Sequence, residues 1–86
     1  MKVIYKYEFP IATEVEIELP YNSRVLTIRL QNGKPKLWAI VDTEEKSTGK
    51  RKFYVFGTGN PLPEFIGSLK HINTISDGIY VWHIFE

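Results

Sequence analysis

The chain has 86 residues, with eleven basic and ten acidic side chains, two histidines and no cysteine. That length holds one domain, residues 1–86, and the missing cysteines exclude disulfides and thiolate metal sites. A formal net charge of +1 argues against a dedicated duplex-DNA binder, which presents a clearly basic face.

No apolar stretch approaches the roughly 20 residues that span a bilayer. The charges interleaved in Met1-Lys2-Val3-Ile4-Tyr5-Lys6 mark a strand and not a signal peptide, so a cytoplasmic protein with no membrane partner is expected. Five Tyr, five Phe and two Trp make twelve rings that each bury ~150–250 Å². A core this small does not take them all easily. Some are expected at a subunit interface or a ligand site, and a homo-oligomer (dimer or tetramer) is expected with them.

Two-residue apolar alternation runs through the whole chain, and no segment shows an amphipathic helix. Residues 2–9 set Val3, Tyr5, Tyr7 and Phe9 on one face, and Pro10 closes that strand. Thr13 to Leu19 turns Val15, Ile17 and Leu19 inward and three glutamates outward, a half-buried antiparallel strand. Arg24 to Gln31 is expected to place Leu26, Ile28 and Leu30 inward. Asn32-Gly33 is then a strong hairpin signal, because a type I′ turn needs positive φ at both central positions. Lys36 to Asp42 returns with both faces apolar, Trp38 and Ile40 opposite Leu37, Ala39 and Val41. Such a strand is central in a sheet or meets a partner.

Thr43 to Lys50 reads as a polar loop and Arg51 to Phe56 as the fifth strand. The glycines and prolines of Gly57-Thr58-Gly59-Asn60-Pro61-Leu62-Pro63 end it. A helical turn at Pro63-Glu64-Phe65 is compatible with the residues, and Phe65 to Ile72 reads as strand six. Asn73 to Gly78 reads as a turn before the last strand, Ile79 to Glu86. The predicted fold is all-β, a small antiparallel sandwich or barrel of about seven strands. Val81, His83 and Phe85 share one face of the last strand and Trp82, Ile84 and Glu86 the other.

Three constellations carry chemistry. His71 and His83 are the side chains expected to titrate near neutrality, with Ser68 as an imaginable nucleophile. No nucleophile elbow accompanies them, and two histidines without a spaced carboxylate are a poor metal site; no catalytic residue, metal or cofactor is assigned. Gly57, Thr58, Gly59 and Asn60 form a turn whose backbone N–H groups suit an anion, or simply a tight connection. Tyr5, Trp38, Tyr54, Trp82 and His83, interleaved with Lys6, Arg24, Arg29, Arg51 and Lys52, have the makeup of a nucleotide surface. A base stacked on an aromatic ring is worth ~1–3 kcal/mol, and arginine adds bidentate phosphate contacts. Trp38 and Trp82 are both expected opposite the main apolar stripe. The alternative is that these rings are core or oligomer contacts.

Ile4-Tyr5-Lys6-Tyr7, Leu37 to Asp42, Gly57 to Pro61, Phe65-Ile66-Gly67 and Val81 to Glu86 together resemble a family of small phage and prophage proteins. The match runs in order over nearly the whole chain. Asn60 and Ser68 depart from it, where the family commonly carries His and Thr. The set is also similar to the anti-CBASS sponge proteins of phages, which bind a cyclic dinucleotide immune signal without cleaving it. That resemblance implies a non-enzymatic protein in the cytoplasm of the infected bacterial host. It would sequester a cyclic dinucleotide, 3′,3′-cyclic GMP–AMP being favoured. Bases would stack on Trp38 or Trp82, and Gly57–Asn60 with Arg24, Arg29 or Arg51 would hold phosphates. Two other readings stay open: a module that binds a host or phage protein, and a single-stranded nucleic-acid binder.

Overall fold

A computed structural model describes residues 1–86. Alternation becomes seven strands: β1 (Lys2–Glu8), β2 (Glu14–Pro20), β3 (Arg24–Gln31), β4 (Lys34–Asp42), β5 (Thr48–Gly57), β6 (His71–Asp77) and β7 (Tyr80–Phe85). They form two antiparallel sheets, β1-β4-β3 and β2-β5-β7-β6. One core joins the inward rows of both: Phe9, Val15, Ile17, Leu19, Ile28, Leu37, Ala39, Val41, Phe53, Val55, Ile75 and Ile84. The all-β expectation holds, and no helix is long and apolar enough to cross a membrane.

Asn32 and Gly33 take φ of 53° and 77°, as a type I′ turn requires. β4 lies at the centre of its sheet between β1 and β3, which accounts for apolar side chains on both its faces. β3 departs from simple alternation. The register shifts between Val25 and Thr27, so Leu26 is bulged out of the ladder and 40% exposed, where inward packing was expected. A bulge gives the extra residue no partner and breaks the period of two.

Strand boundaries differ in three places. β5 begins at Thr48, inside the expected loop, and the ring of Tyr21 covers Gly49 so closely that a Cβ there would lie 2.6 Å from it. The helical turn considered at Pro63-Glu64-Phe65 is a 3-10 helix, Glu64–Ser68, that takes the first residues of the expected strand Phe65 to Ile72, and β6 starts only at His71. Ile66 N–H bonds to Pro63 O (3.1 Å), and the Ser68 hydroxyl donates to Phe65 O (2.8 Å). The expected turn at 73–78 is instead mostly strand: Asp77 pairs with Tyr80, leaving Gly78-Ile79 as a two-residue hairpin loop. Gly78 at φ 64° supplies its positive-φ position.

β3 and β6 meet at the seam between the sheets, and each carries a bulge there. The Asn73 side chain spans the seam. Its Oδ1 accepts from Ile28 N–H (2.9 Å), and its Nδ2 donates to Ile28 O. An amide thus completes, for one residue, the ladder that a neighbouring strand would supply. The far end of the second sheet is closed by Glu86. Its N–H and C=O exchange bonds with Lys70 (2.9 and 2.8 Å), and its carboxylate takes Arg51 in a bidentate pair.

Candidate functional site

Strand register turns the outward residues of the β1-β4-β3 sheet into rows. Lys6, Trp38 and Thr27 form the middle row; Glu8, Lys36 and Arg29 lie on one side of it; Ile4, Ile40 and Arg24 lie on the other. Trp38 is half-buried at the centre of this face. Lys2, Lys6, Arg24, Arg29, Lys34 and Lys36 are six cations on it, against two anions, Glu8 and Asp42. The face therefore carries +4 (six minus two) on a chain of net +1, and the remainder carries −3.

Both anions are already engaged. Glu8 pairs with Lys36, and that hydrogen bond holds its carboxyl below the usual range. Asp42 accepts from the Glu44 backbone N–H (3.0 Å) and from the terminal ammonium of Met1 (3.3 Å), which lower its carboxyl in that order. Lys6 Nζ reaches Gln31 (2.7 Å). Arg24 also borders a hollow of about 320 Å³ with Lys2, Tyr21, Asn22, Ile40 and Asp42. Arg24 and Arg29 make no salt bridge. The result is a flat aromatic ring among cations, a surface suited to a planar anionic ligand.

The opposite surface has different chemistry. On the outward side of the second sheet, Tyr54 and Phe56 lie parallel with centroids 6.5 Å apart, Phe65 tilts onto Tyr54 at 5.3 Å, and Phe85 meets Phe56 at 5.7 Å. Tyr54, Phe56 and Phe85, which the core cluster does not include, are packed here under the 57–68 segment, and Phe65 joins them from that segment. Beside them runs a groove of about 610 Å³ lined by Glu14, Tyr54, Phe56, Asn60, Leu62 and Phe65, among others, with no cation in its lining. It suits an uncharged apolar group and not a phosphate.

The two histidines do come together, through a hydroxyl. Thr74 Oγ1 lies 3.0 Å from His71 Nε2 and 3.0 Å from His83 Nδ1, and His83 Nε2 lies 2.7 Å from Thr58 Oγ1. Ser68 is turned to its own backbone. No group of three His, Cys, Asp or Glu converges on a metal position.

The eleven expected ligand residues thus fall in several places. Arg24, Arg29 and Trp38 share the basic face. Gly57, Thr58, Gly59, Asn60 and His83 share the far side of the molecule, where the glycine loop closes as a turn through Asn60 N–H to Gly57 O (3.1 Å). Tyr5 lies on the inward row of β1, yet is 50% exposed. Arg51 is occupied: besides Glu86 it bonds Ser23 O (2.8 Å), and the Glu86 hydrogen bonds raise its guanidinium further above its ordinary value. Trp82 corrects the expectation that both tryptophans oppose the apolar stripe. It shares the inward side with Ile84, packs against the core, and stacks on Tyr80 at 5.5 Å. His83 is the ring of that pair which faces outward. Lys36 and Thr27 were missed, since only the pairing register places them beside Trp38.

A family model described as a domain of unknown function, DUF7352, matches residues 1–86. The chain belongs to that family. No curated protein and no solved structure matches it. The family assignment covers the whole chain, as the resemblance noted in the sequence does, and carries neither a phage origin nor a nucleotide ligand.

Proposed function

We propose that this protein binds a cyclic dinucleotide, 3′,3′-cyclic GMP–AMP above others, and sequesters it without cleavage. In that role it is a phage immune-evasion protein acting in the cytoplasm of the infected host, where it blocks CBASS antiphage defence. The supporting observation is Trp38 at the centre of a face carrying +4 on a nearly neutral chain. The ring offers a stacking platform for a base, and Lys6 in its own row with Arg24 and Arg29 in the adjoining rows stands ready for phosphates. The phage setting and the identity of the ligand rest on the sequence resemblance.

Titration calorimetry with 3′,3′-cyclic GMP–AMP, cyclic di-GMP and cyclic di-AMP tests the reading. Binding that weakens by about fivefold or more in Trp38→Ala supports it; no heat with any of the three at about 100 μM overturns it. Ligand recovered intact after heating the complex separates a sponge from a nuclease. The openness of the face also suits single-stranded nucleic acid, and salt distinguishes the two. A cyclic dinucleotide has two charges to neutralise, whereas a bound strand gives a steeper loss of affinity with salt.

A further inference from the structure

β1 is an edge strand: its one neighbour is β4. Phe9 N–H bonds to Pro35 O and Thr43 N–H to Met1 O, so the odd residues of β1 spend their backbone groups on β4. The N–H and C=O groups of Lys2, Ile4, Lys6 and Glu8 consequently point to the free side. Edge strands are usually blunted by proline, bulges or central charges. β1 has neither proline nor bulge, and its one charge near the middle, Lys6, is bonded to Gln31 (2.7 Å); Ile4 is 59% exposed on the outward row and Tyr5 50% exposed on the inward row.

We infer that β1 pairs antiparallel with β1 of a second copy, about a two-fold axis at Tyr5, and that the resulting six-stranded sheet joins two Trp38 platforms into one ligand site. The register follows from charge. Directly opposed residues must lie on the same face, so the two-fold can sit on residue 4, 5 or 6. Centred on Ile4 it opposes Lys2 with Lys6 of the other copy. Centred on Lys6 it opposes that lysine with itself. Centred on Tyr5, all seven residues pair, Lys2 meets Glu8 at both ends, and Ile4 meets the stem of Lys6. The Glu8 side chain is 78% exposed and can take a second cation beside Lys36.

The same register matches the hydrogen-bond pattern. The even residues, whose backbone groups are free, become the hydrogen-bonded pairs. Tyr5 faces its own copy at a non-hydrogen-bonded position, with Cα atoms about 4.5 Å apart. Tyr5 then gains the cover that its own second sheet does not give. On the outward face the two Trp38 residues stand three strand spacings apart across the sheet and two residues apart along it, about 16 Å, with both Lys6 side chains between them. A ligand with two bases and two phosphates has that symmetry. This last step rests on the nucleotide reading; the pairing itself does not.

Sedimentation equilibrium of the unliganded protein at about 100 μM is expected to give twice the 10.0 kDa chain mass, and 10.0 kDa alone overturns the pairing. Ile4→Pro removes an N–H that faces solvent in the isolated chain, as edge strands tolerate; it is expected to keep the circular dichroism spectrum and become monomeric. The chain has no native cysteine, so single substitutions read the register directly. Under mild oxidation Tyr5→Cys is expected to cross-link at least tenfold faster than Ile4→Cys, whose copies are offset by two residues. Equal rates overturn the register. One 3′,3′-cyclic GMP–AMP bound per two chains supports the shared site, and one per chain overturns it. A dimer that binds no cyclic dinucleotide overturns the nucleotide reading and leaves the pairing intact.

Discussion

Asn73 offers a measurable test of how the two sheets are held together. Ile28 is 0% exposed, and both its backbone groups are bonded by the Asn73 amide. Asn73→Ala removes both partners at the half-buried seam. Each buried group left unsatisfied costs about 1–3 kcal/mol, so the loss is expected at about 2–4 kcal/mol once partial relaxation is allowed. An 86-residue domain has about 4–13 kcal/mol in total, and a 1 kcal/mol loss shifts Tm by about 4–8 °C at this size. Calorimetric melting should therefore show Tm lower by at least about 10 °C. Asn73→Asp sharpens the test: its carboxylate still accepts from Ile28 N–H but repels Ile28 O, so it too should lose most of the stability. A Tm drop below about 4 °C for both variants would refute the claim that the amide substitutes for a ladder.

Trp38→Ala should weaken cyclic dinucleotide binding by about 5- to 150-fold, the loss of one stacked base at ~1–3 kcal/mol, while Tm changes little because the ring is outside the core; calorimetric titration and melting check the two halves. Arg51→Met should cost about 1–3 kcal/mol through the lost charge-assisted bonds to Glu86 and Ser23, read by urea unfolding, with ligand affinity unchanged since the guanidinium is already engaged. Stability should also fall with acid. Glu8 and Asp42 have carboxyls held below their ordinary values of 4.5 and 3.8, so the unfolded chain binds protons first. Their contribution is complete above about pH 5 and is lost as pH drops through those values and below. Lys36→Met should flatten the Glu8 part of that curve in pH-dependent melts.

Much of this architecture was legible because period-two alternation reports burial directly. Val15, Ile17 and Leu19 face the core, and Asn32-Gly33 turns where a type I′ hairpin demands it. What could not be read is what depends on pairing. The bulges at Leu26 and Ile72 each shift a register by one residue, and a period-two pattern cannot predict its own interruption. The segment Asn73-Thr74-Ile75-Ser76-Asp77 has turn composition, yet β7 holds it as a strand, a case of tertiary context overriding propensity. The same limit governs the site. Arg29 and Trp38 are nine residues apart in sequence and on adjacent rows in space, which emerges only from the β3–β4 ladder. Trp82 and His83 show the converse: alternation put them on opposite faces, and Trp82 was expected to face out where His83 does. Twelve rings in a small domain suggested interfaces; four of them (Tyr54, Phe56, Phe65 and Phe85) instead build a second apolar cluster between the outer face of the second sheet and the 57–68 segment.

The hydroxyl of Thr74 has a single proton to share between two imidazoles. When both rings are neutral and all three bonds are made, the line has a direction. Either Thr58 donates to His83, His83 to Thr74 and Thr74 to His71, or every donor and acceptor is reversed. The two arrangements carry the His83 proton on different nitrogens, Nδ1 in the first and Nε2 in the second. A group that accepts from the Thr58 hydroxyl takes away its bond to His83, removing the first arrangement and with it the proton that His71 receives. Nitrogen-15 chemical shifts of the His83 ring on β7 would read out that polarity, and the line would carry to His71 on the edge strand β6 what has touched the glycine turn after β5.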